Sequence, residues 1–275
     1  MKPYQETQIV LVGAGSVATQ LGMALKEKGF PILQVYSRTL TSAATLGDKL
    51  EAAYTHTLRT IDTRGDLYLF SLKDSALPDV ITRFPAVKGL VAHTSGSHPM
   101  AVFDDSRFAR RGVLYPLQTF GKSRTVSFDS LPLFVEANRP EDEDLLEAVA
   151  SALSDRVFRM TSDRREHLHL AAVFACNFAN HLYTLASEYL YDQGLPWELL
   201  LPLIRETTDK LADQHPLDAQ TGPAIRGDRN ILAKHQELLS TNLRRQKLYR
   251  LLSRSIRKAS RSPQAMERQK IHKNG

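Results

Sequence analysis

The chain is short of cysteine: Cys176 is the only one in 275 residues. That excludes an internal disulfide framework and a cysteine-based zinc site. Cys176 lies in an apolar helical run, where a small buried hydrophobe is expected. No stretch of about 18 apolar residues occurs, so no membrane span is expected. Met1–Glu6 carries no apolar signal region, and a soluble, cytoplasmic protein is expected. Acid is scarce at one end only. The last 35 residues hold eleven Lys or Arg and one acid, Glu267, whereas the other 240 hold 25 bases and 29 acids. The net charge of +6 therefore belongs to the C-terminus. That segment has a single aromatic, Tyr249, and no recognised nucleic-acid motif. A solvated helix face and a frayed tail are expected there, without nucleic acid as a partner.

What is present begins with Ile9-Val10-Leu11-Val12, which runs into Gly13-Ala14-Gly15-Ser16-Val17-Ala18 and then into a helical pattern. A buried strand, a Gly-x-Gly-x-x-Ala turn and a helix form a dinucleotide-binding unit. Gly13 permits the tight turn, Gly15 lets backbone approach a pyrophosphate, and Ala18 lets the helix pack on the sheet. The helix N-terminus offers free N–H groups and partial positive charge to the phosphates. The second strand, from Ile32, ends in Ser37, Arg38 and Thr39. A carboxylate that would hold ribose hydroxyls is missing there. Arg38 can instead pair with a 2′-phosphate, and the two hydroxyls can donate to it. The expected cofactor is NADP(H).

Strand and helix alternate up to about residue 161. Strands are expected at 66–72, 89–93, 113–115, 131–135 and 156–160, and helices at 42–51, 76–84 and 142–153. This is a doubly wound α/β sheet. Strand signals then stop. Helices are expected over 163–192, 197–214, 230–240 and 241–258, with a long irregular loop from His215 to Asp228. The expected organisation is a nucleotide-binding domain at 1–161, an all-helical domain at 162–260 and a basic flexible tail at 261–275. The helix over 163–192 is too long to be covered by so small a domain, so a homodimer through the helical domain is expected.

Four further segments carry a family likeness: His93-Thr94-Ser95-Gly96-Ser97, Tyr115-Pro116-Leu117-Gln118-Thr119-Phe120, Ala171–Phe178 and Thr221–Asp228. With the glycine turn they make the chain resemble the 6-phosphogluconate dehydrogenase-like superfamily. Its relatives include pyrroline-5-carboxylate reductase, ketopantoate reductase and deazaflavin-dependent NADP oxidoreductase. More closely, the chain resembles a family of bacterial Rossmann-like proteins of NADP oxidoreductase type with a helical C-terminal domain of unknown function. The resemblance implies a nucleotide at the glycine turn and a substrate between the domains. One departure stands out. Hydroxyacid dehydrogenases of this superfamily use a Lys four residues before a helical Asn. If Asn177 matches that Asn, position 173 is Val. This leans away from hydroxyacid oxidation and toward reduction of an imine or another carbonyl-type group.

In an open α/β sheet, ligands bind beyond the C-terminal strand ends. The glycine turn, Ser71-Leu72-Lys73 and His93-Thr94-Ser95-Gly96 converge there. Ser71, Leu72, Lys73, His93 and Thr94 are expected to flank the cofactor. Thr94 and Ser95 can hold a substrate carboxylate or carbonyl, with Gly96 allowing backbone approach. His93 is the expected proton donor, since histidine titrates near neutrality. Asn177 and His181, four apart on a helix, are the expected orienting groups, with Asn180 beside them. His167 and His169 do not share a helical face, and no metal site is expected. Thr221 and Gly222 are expected to contact substrate, Arg226 or Arg229 to clamp an anionic one, and Asp228 to cap the next helix. The reading is an NADP-dependent oxidoreductase acting on the C=O or C=N carbon of a small metabolite. Its rival is a non-catalytic NADP(H)-binding or sensor protein.

Overall fold

The computed structural model describes residues 6–104, 107–121 and 124–262. Residues 1–5 and 263–275, which include most of the expected basic tail, lie outside the described residues. The chain divides into two compact units, Met1–Phe178 and Ala179–Gly275.

The first unit is built on one eight-stranded sheet. Its strands are β1 (Ile9–Val12), β2 (Ile32–Tyr36), β3 (Ala53–Thr55), β4 (Leu67–Phe70), β5 (Leu90–His93), β6 (Arg111–Pro116), β7 (Leu133–Ala137) and β8 (Val157–Arg159). Their order is β3-β2-β1-β4-β5-β6-β7-β8. The first six in sequence are parallel, while β7 pairs antiparallel with β6 and β8 follows β7. The chain leaves β1 toward β2 and β3, then returns to lay β4 on the other side of β1. That reversal is the topological switch point of an open α/β sheet.

Helices α1 (Ser16–Glu27), α2 (Leu40–Leu50), α3 (Leu77–Arg83), α4 (Pro140–Leu153) and α5 (Ser162–Ala172) belong to this unit. Strands read as continuous apolar runs because both faces are covered. Ile9 and Leu11 pack on one face with Leu21, Leu25, Leu46 and Leu146. Val10 and Val12 pack on the other with Tyr68, Phe70, Val80 and Phe84. In α1, Ala18, Leu21, Gly22 and Leu25 are buried at helical spacing. Gly29, at φ +83°, ends that helix, and the Phe30 N–H donates to the Leu25 carbonyl.

The second unit holds α6 (Ala179–Asp192), α7 (Leu201–Asp209), α8 (Pro216–Ala219), α9 (Pro223–Arg226), α10 (Arg229–Leu238) and α11 (Leu243–Ala259). Asp228 caps α10 as expected, accepting from the Ile231 N–H. The α/β sheet followed by helices is the architecture read from the sequence. Several details differ. The helix over 163–192 is interrupted by a π-helical segment at Val173–Phe178. The helix over 197–214 is α7 flanked by 3₁₀ turns at Trp197–Leu200 and Lys210–Ala212. The loop from His215 to Asp228 contains α8 and α9, each with proline at its start, where a missing N–H costs nothing. Cys176 is exposed rather than buried, because the apolar run around it turns its side chains outward: Phe174 and Phe178 are exposed too. Among the described residues, no helix is long and apolar enough to cross a membrane.

Candidate active site

The parallel strands β1, β4, β5 and β6 end on one edge of the sheet, and the candidate residues of the first unit gather there. After β1, Gly13 has φ +130°, a conformation that favours glycine. A Cβ on it would stand 2.2 Å from the Ser71 carbonyl oxygen, so the turn is closed against β4 by the backbone itself. Gly15 differs. Its φ of −81° suits any residue, and nothing lies within 4 Å of where its Cβ would stand. Gly15 is also the N-cap of α1. It provides no side-chain cap, and the first turn of that helix has no acid. The α1 N–H groups and the positive end of its dipole therefore face open space. Ala14, Ser16 and Val17 are partly exposed around that space, and Ala18 is buried against the sheet.

After β2, the Ser37 N–H donates to the Thr55 carbonyl. Arg38 is exposed and has no ion pair or hydrogen bond among the described residues. Thr39 caps α2: its hydroxyl accepts from the Ser42 N–H and donates to the Ser42 hydroxyl at 2.8 Å. After β4, Ser71 is buried and its hydroxyl accepts from that of Thr94 at 3.3 Å. Leu72 is half-buried, and Lys73 is exposed, its side chain without an ion pair or hydrogen bond among the described residues.

The turn after β5 is already full. His93 has no exposed surface, and its Nδ1 accepts from the Ser95 N–H at 3.1 Å. That bond makes Nε2 the protonated nitrogen of the neutral ring. Nε2 has no partner in hydrogen-bonding geometry, and the Pro99 carbonyl nearby favours its proton only slightly. Burial first, and the charge of Arg165 second, push the imidazole down to about 3. The expectation that His93 donates protons near neutrality is therefore corrected: it is a buried neutral base. Ser95 is engaged within the turn. Its hydroxyl donates to Asp74 at 2.8 Å and accepts from the Ser97 and His98 N–H groups, so it organises the turn. Ser97 donates to the other oxygen of Asp74 at 2.8 Å.

Gly96 is small for a packing reason. A Cβ there would stand 2.6 Å from His169 Nδ1 and 2.7 Å from Tyr115 Cζ. Tyr115 ends β6, and His169 comes from α5. Their Oη and Nδ1 are 3.2 Å apart. Burial raises the Tyr115 phenol. Helix α5 is held by Arg165, which is fully buried and donates to Glu136 at 2.6 Å and to the His98 carbonyl at 2.6 Å.

Sequence reasoning passed over Tyr115, Arg165 and His169 as site residues. One signal was available: Arg165 and His169 are four apart, on one helical face. Asn177 and His181 were the pair expected to orient substrate. Both are exposed, Asn177 within the π segment and His181 on α6, and neither has a hydrogen bond to a described residue. Thr221 is exposed and Gly222, at φ +108°, starts α9 in the second unit.

A solved structure titled "putative NADP oxidoreductase BF3122 from Bacteroides fragilis" is 47% identical, covers 93% of this chain and 100% of its own, and superposes with a TM-score of 0.88. This chain belongs to the family of that protein. Residues 131–256 also match a domain of unknown function, DUF2520. More distant likenesses show the fold alone. An imine reductase from Myxococcus stipitatus, solved with NADP+, is 17% identical with a TM-score of 0.63, covering 93% of this chain and 95% of its own. A 1-pyrroline-5-carboxylate reductase from Streptococcus pyogenes is 13% identical with a TM-score of 0.60, covering 92% and 99%. No curated protein matches the chain.

Proposed function

We propose that this protein is an NADPH-dependent oxidoreductase of the 6-phosphogluconate dehydrogenase-like superfamily, reducing the C=O or C=N carbon of a small metabolite. The observation that carries the reading is Gly15. Neither backbone strain nor packing demands a glycine there, and a Cβ would stand in open space at the N-cap of α1, which has no side-chain cap. A pyrophosphate accounts for that space and for the N–H groups facing it. The residues fit the cofactor: Gly13 to Ala18 would hold the pyrophosphate, and Ser37, Arg38 and Thr39 the 2′-phosphate. Ser71, Leu72, Lys73 and Thr94 would line the ribose and nicotinamide end. When bound, the cofactor supplies the hydride. The related Bacteroides fragilis protein is described as a "putative NADP oxidoreductase", and the imine reductase of the same fold was solved with NADP+. Both support the reading.

The second unit supports a homodimer. Among its described residues only Ala224 and Ser253 are buried, while Leu182, Leu199, Leu203, Leu238 and Leu251 are exposed. Such a surface asks for a partner, and a second copy of this chain would cover it.

Fluorescence titration with NADPH and NADH tests the cofactor. NADPH should bind more tightly, and Arg38→Ala should weaken NADPH by about tenfold to a hundredfold while leaving NADH nearly unchanged. Failure of both nucleotides to bind would remove the oxidoreductase reading. Binding without turnover on any ketoacid or imine would favour a nucleotide-sensing protein.

A further inference from the structure

We infer that Tyr115 is the proton donor of this site and that His169 is the positioning residue that recharges it. The inference rests on the oxidoreductase reading above. Three segments meet at one point: the loop after β5 at Gly96, the end of β6 at Tyr115 and the second turn of α5 at His169. The Oη–Nδ1 distance is 3.2 Å, within hydrogen-bonding reach. The rings meet edge to face, with centroids 6.2 Å apart. Gly96 gives up its Cβ to admit both side chains, since an alanine would be 2.6 Å from one and 2.7 Å from the other.

Helix α5 is also anchored apart from this pair. Arg165 does that through Glu136, the His98 carbonyl and the Ser162 hydroxyl. What the pair provides is a connected pathway. Tyr115 is 8% exposed and His169 is half-buried, so a proton can pass from solvent to imidazole to phenol. The groups acting on the phenol are few. Burial raises it, Asp74 raises it further, the positive charge of Arg165 lowers it, and Phe134 packs beside it without charge. The net effect keeps Tyr115 protonated at neutral pH, as a donor must be.

In the reducing direction, the Oη–H bond of Tyr115 breaks and its proton goes to the substrate oxygen or nitrogen whose carbon has received the hydride. The phenolate takes the Nδ1 proton of His169, and His169 recovers one from water. His93, by contrast, has no exposed surface and a ring too weakly basic to carry a proton.

The test compares wild type, Tyr115→Phe and His169→Gln in NADPH titrations and in steady-state reduction of a panel of 2-ketoacids and cyclic imines. Tyr115→Phe should lower kcat by about a hundredfold or more, with the NADPH dissociation constant changed by less than about twofold. His169→Gln should lower kcat by about tenfold and flatten the alkaline limb of its pH profile. Without nucleotide, the His169 ring signals in NMR should move in Tyr115→Phe, reporting the pair independently of turnover. Full kcat in Tyr115→Phe, or an unchanged pH profile in His169→Gln, would overturn the assignment. So would wild-type protein that binds NADPH but reduces none of the panel. Wild-type protein that binds no nucleotide is a different result and removes the parent reading instead. Gly96→Ala guards against a misfolded variant: it should separate the pair and lower kcat while both side chains remain.

Discussion

The turn after β1 and the turn after β5 leave the same edge of the sheet, with β4 between them. Both follow four buried residues and both are rich in small or polar side chains. The first turn is open. Its helix end has no side-chain cap, and among the described residues nothing occupies the space beside Gly15. The second is closed upon itself. His93 Nδ1, Ser95, Ser97, His98 and Asp74 hydrogen-bond among themselves, and Arg165 seals the turn through the His98 carbonyl. Polar residues at a strand end thus have two uses, and the difference lies in who receives their hydrogen bonds. Where the protein receives them, the turn is scaffold. Where nothing does, the turn awaits a ligand.

The largest blow to this contrast should come from Arg165→Ala. It strips the cation from Glu136 and unseals the closed turn, costing about 3–5 kcal/mol in urea unfolding. A loss under about 1 kcal/mol would mean that the turn stands without its seal. Next come the two glycines of the open turn, which should behave oppositely. Gly13→Ala meets the Ser71 carbonyl and an unfavourable φ, and should cost about 2–4 kcal/mol. Gly15→Ala meets neither. It should stabilise the protein by about 0.4–1 kcal/mol, through the unfolded chain, yet weaken NADPH. Equal destabilisation by both would show that the turn is simply structural.

A further effect is an acid dependence from His93. Its folded pKa, about 3, lies well below the ordinary imidazole value of 6.5. Below pH 6.5 the unfolded chain takes up a proton that the folded ring refuses, so stability rises with pH between 3 and 6.5 and is fully present above that. Between pH 7 and 5 the loss should be about 2 kcal/mol, and His93→Gln should remove that part of the slope. An unchanged slope would place His93 in a more open setting.

The open turn was legible in the sequence because its logic is local: an apolar run, two glycines and a helix within ten residues. The central strands were legible as apolar runs. The three-residue β3 was not, because two of its side chains are exposed and leave no pattern to read. The π segment is also silent, since its residues would suit an α-helix equally well. His93 was misjudged for a different reason. A histidine at a strand end titrates near neutrality only if water reaches it, and burial is a property of the whole unit. Tyr115 and His169 stand 54 positions apart, and only the sheet order and the course of α5 bring them together.

The switch point also bears on how the molecule assembles. The pairing of β1 with β4, which closes the turn around Gly13, joins Ile9 to Leu67, 58 positions away. The β6–β7 pair closes between Pro116 and Leu133. Distant pairings pay their loop entropy before any contact rewards it. The glycine turn thus depends on the longest-range pairing named here, which loop entropy is expected to delay. A nucleotide gripped there is expected to do little to hasten folding. It would act by slowing the way out, making the protein persistent rather than quick to form.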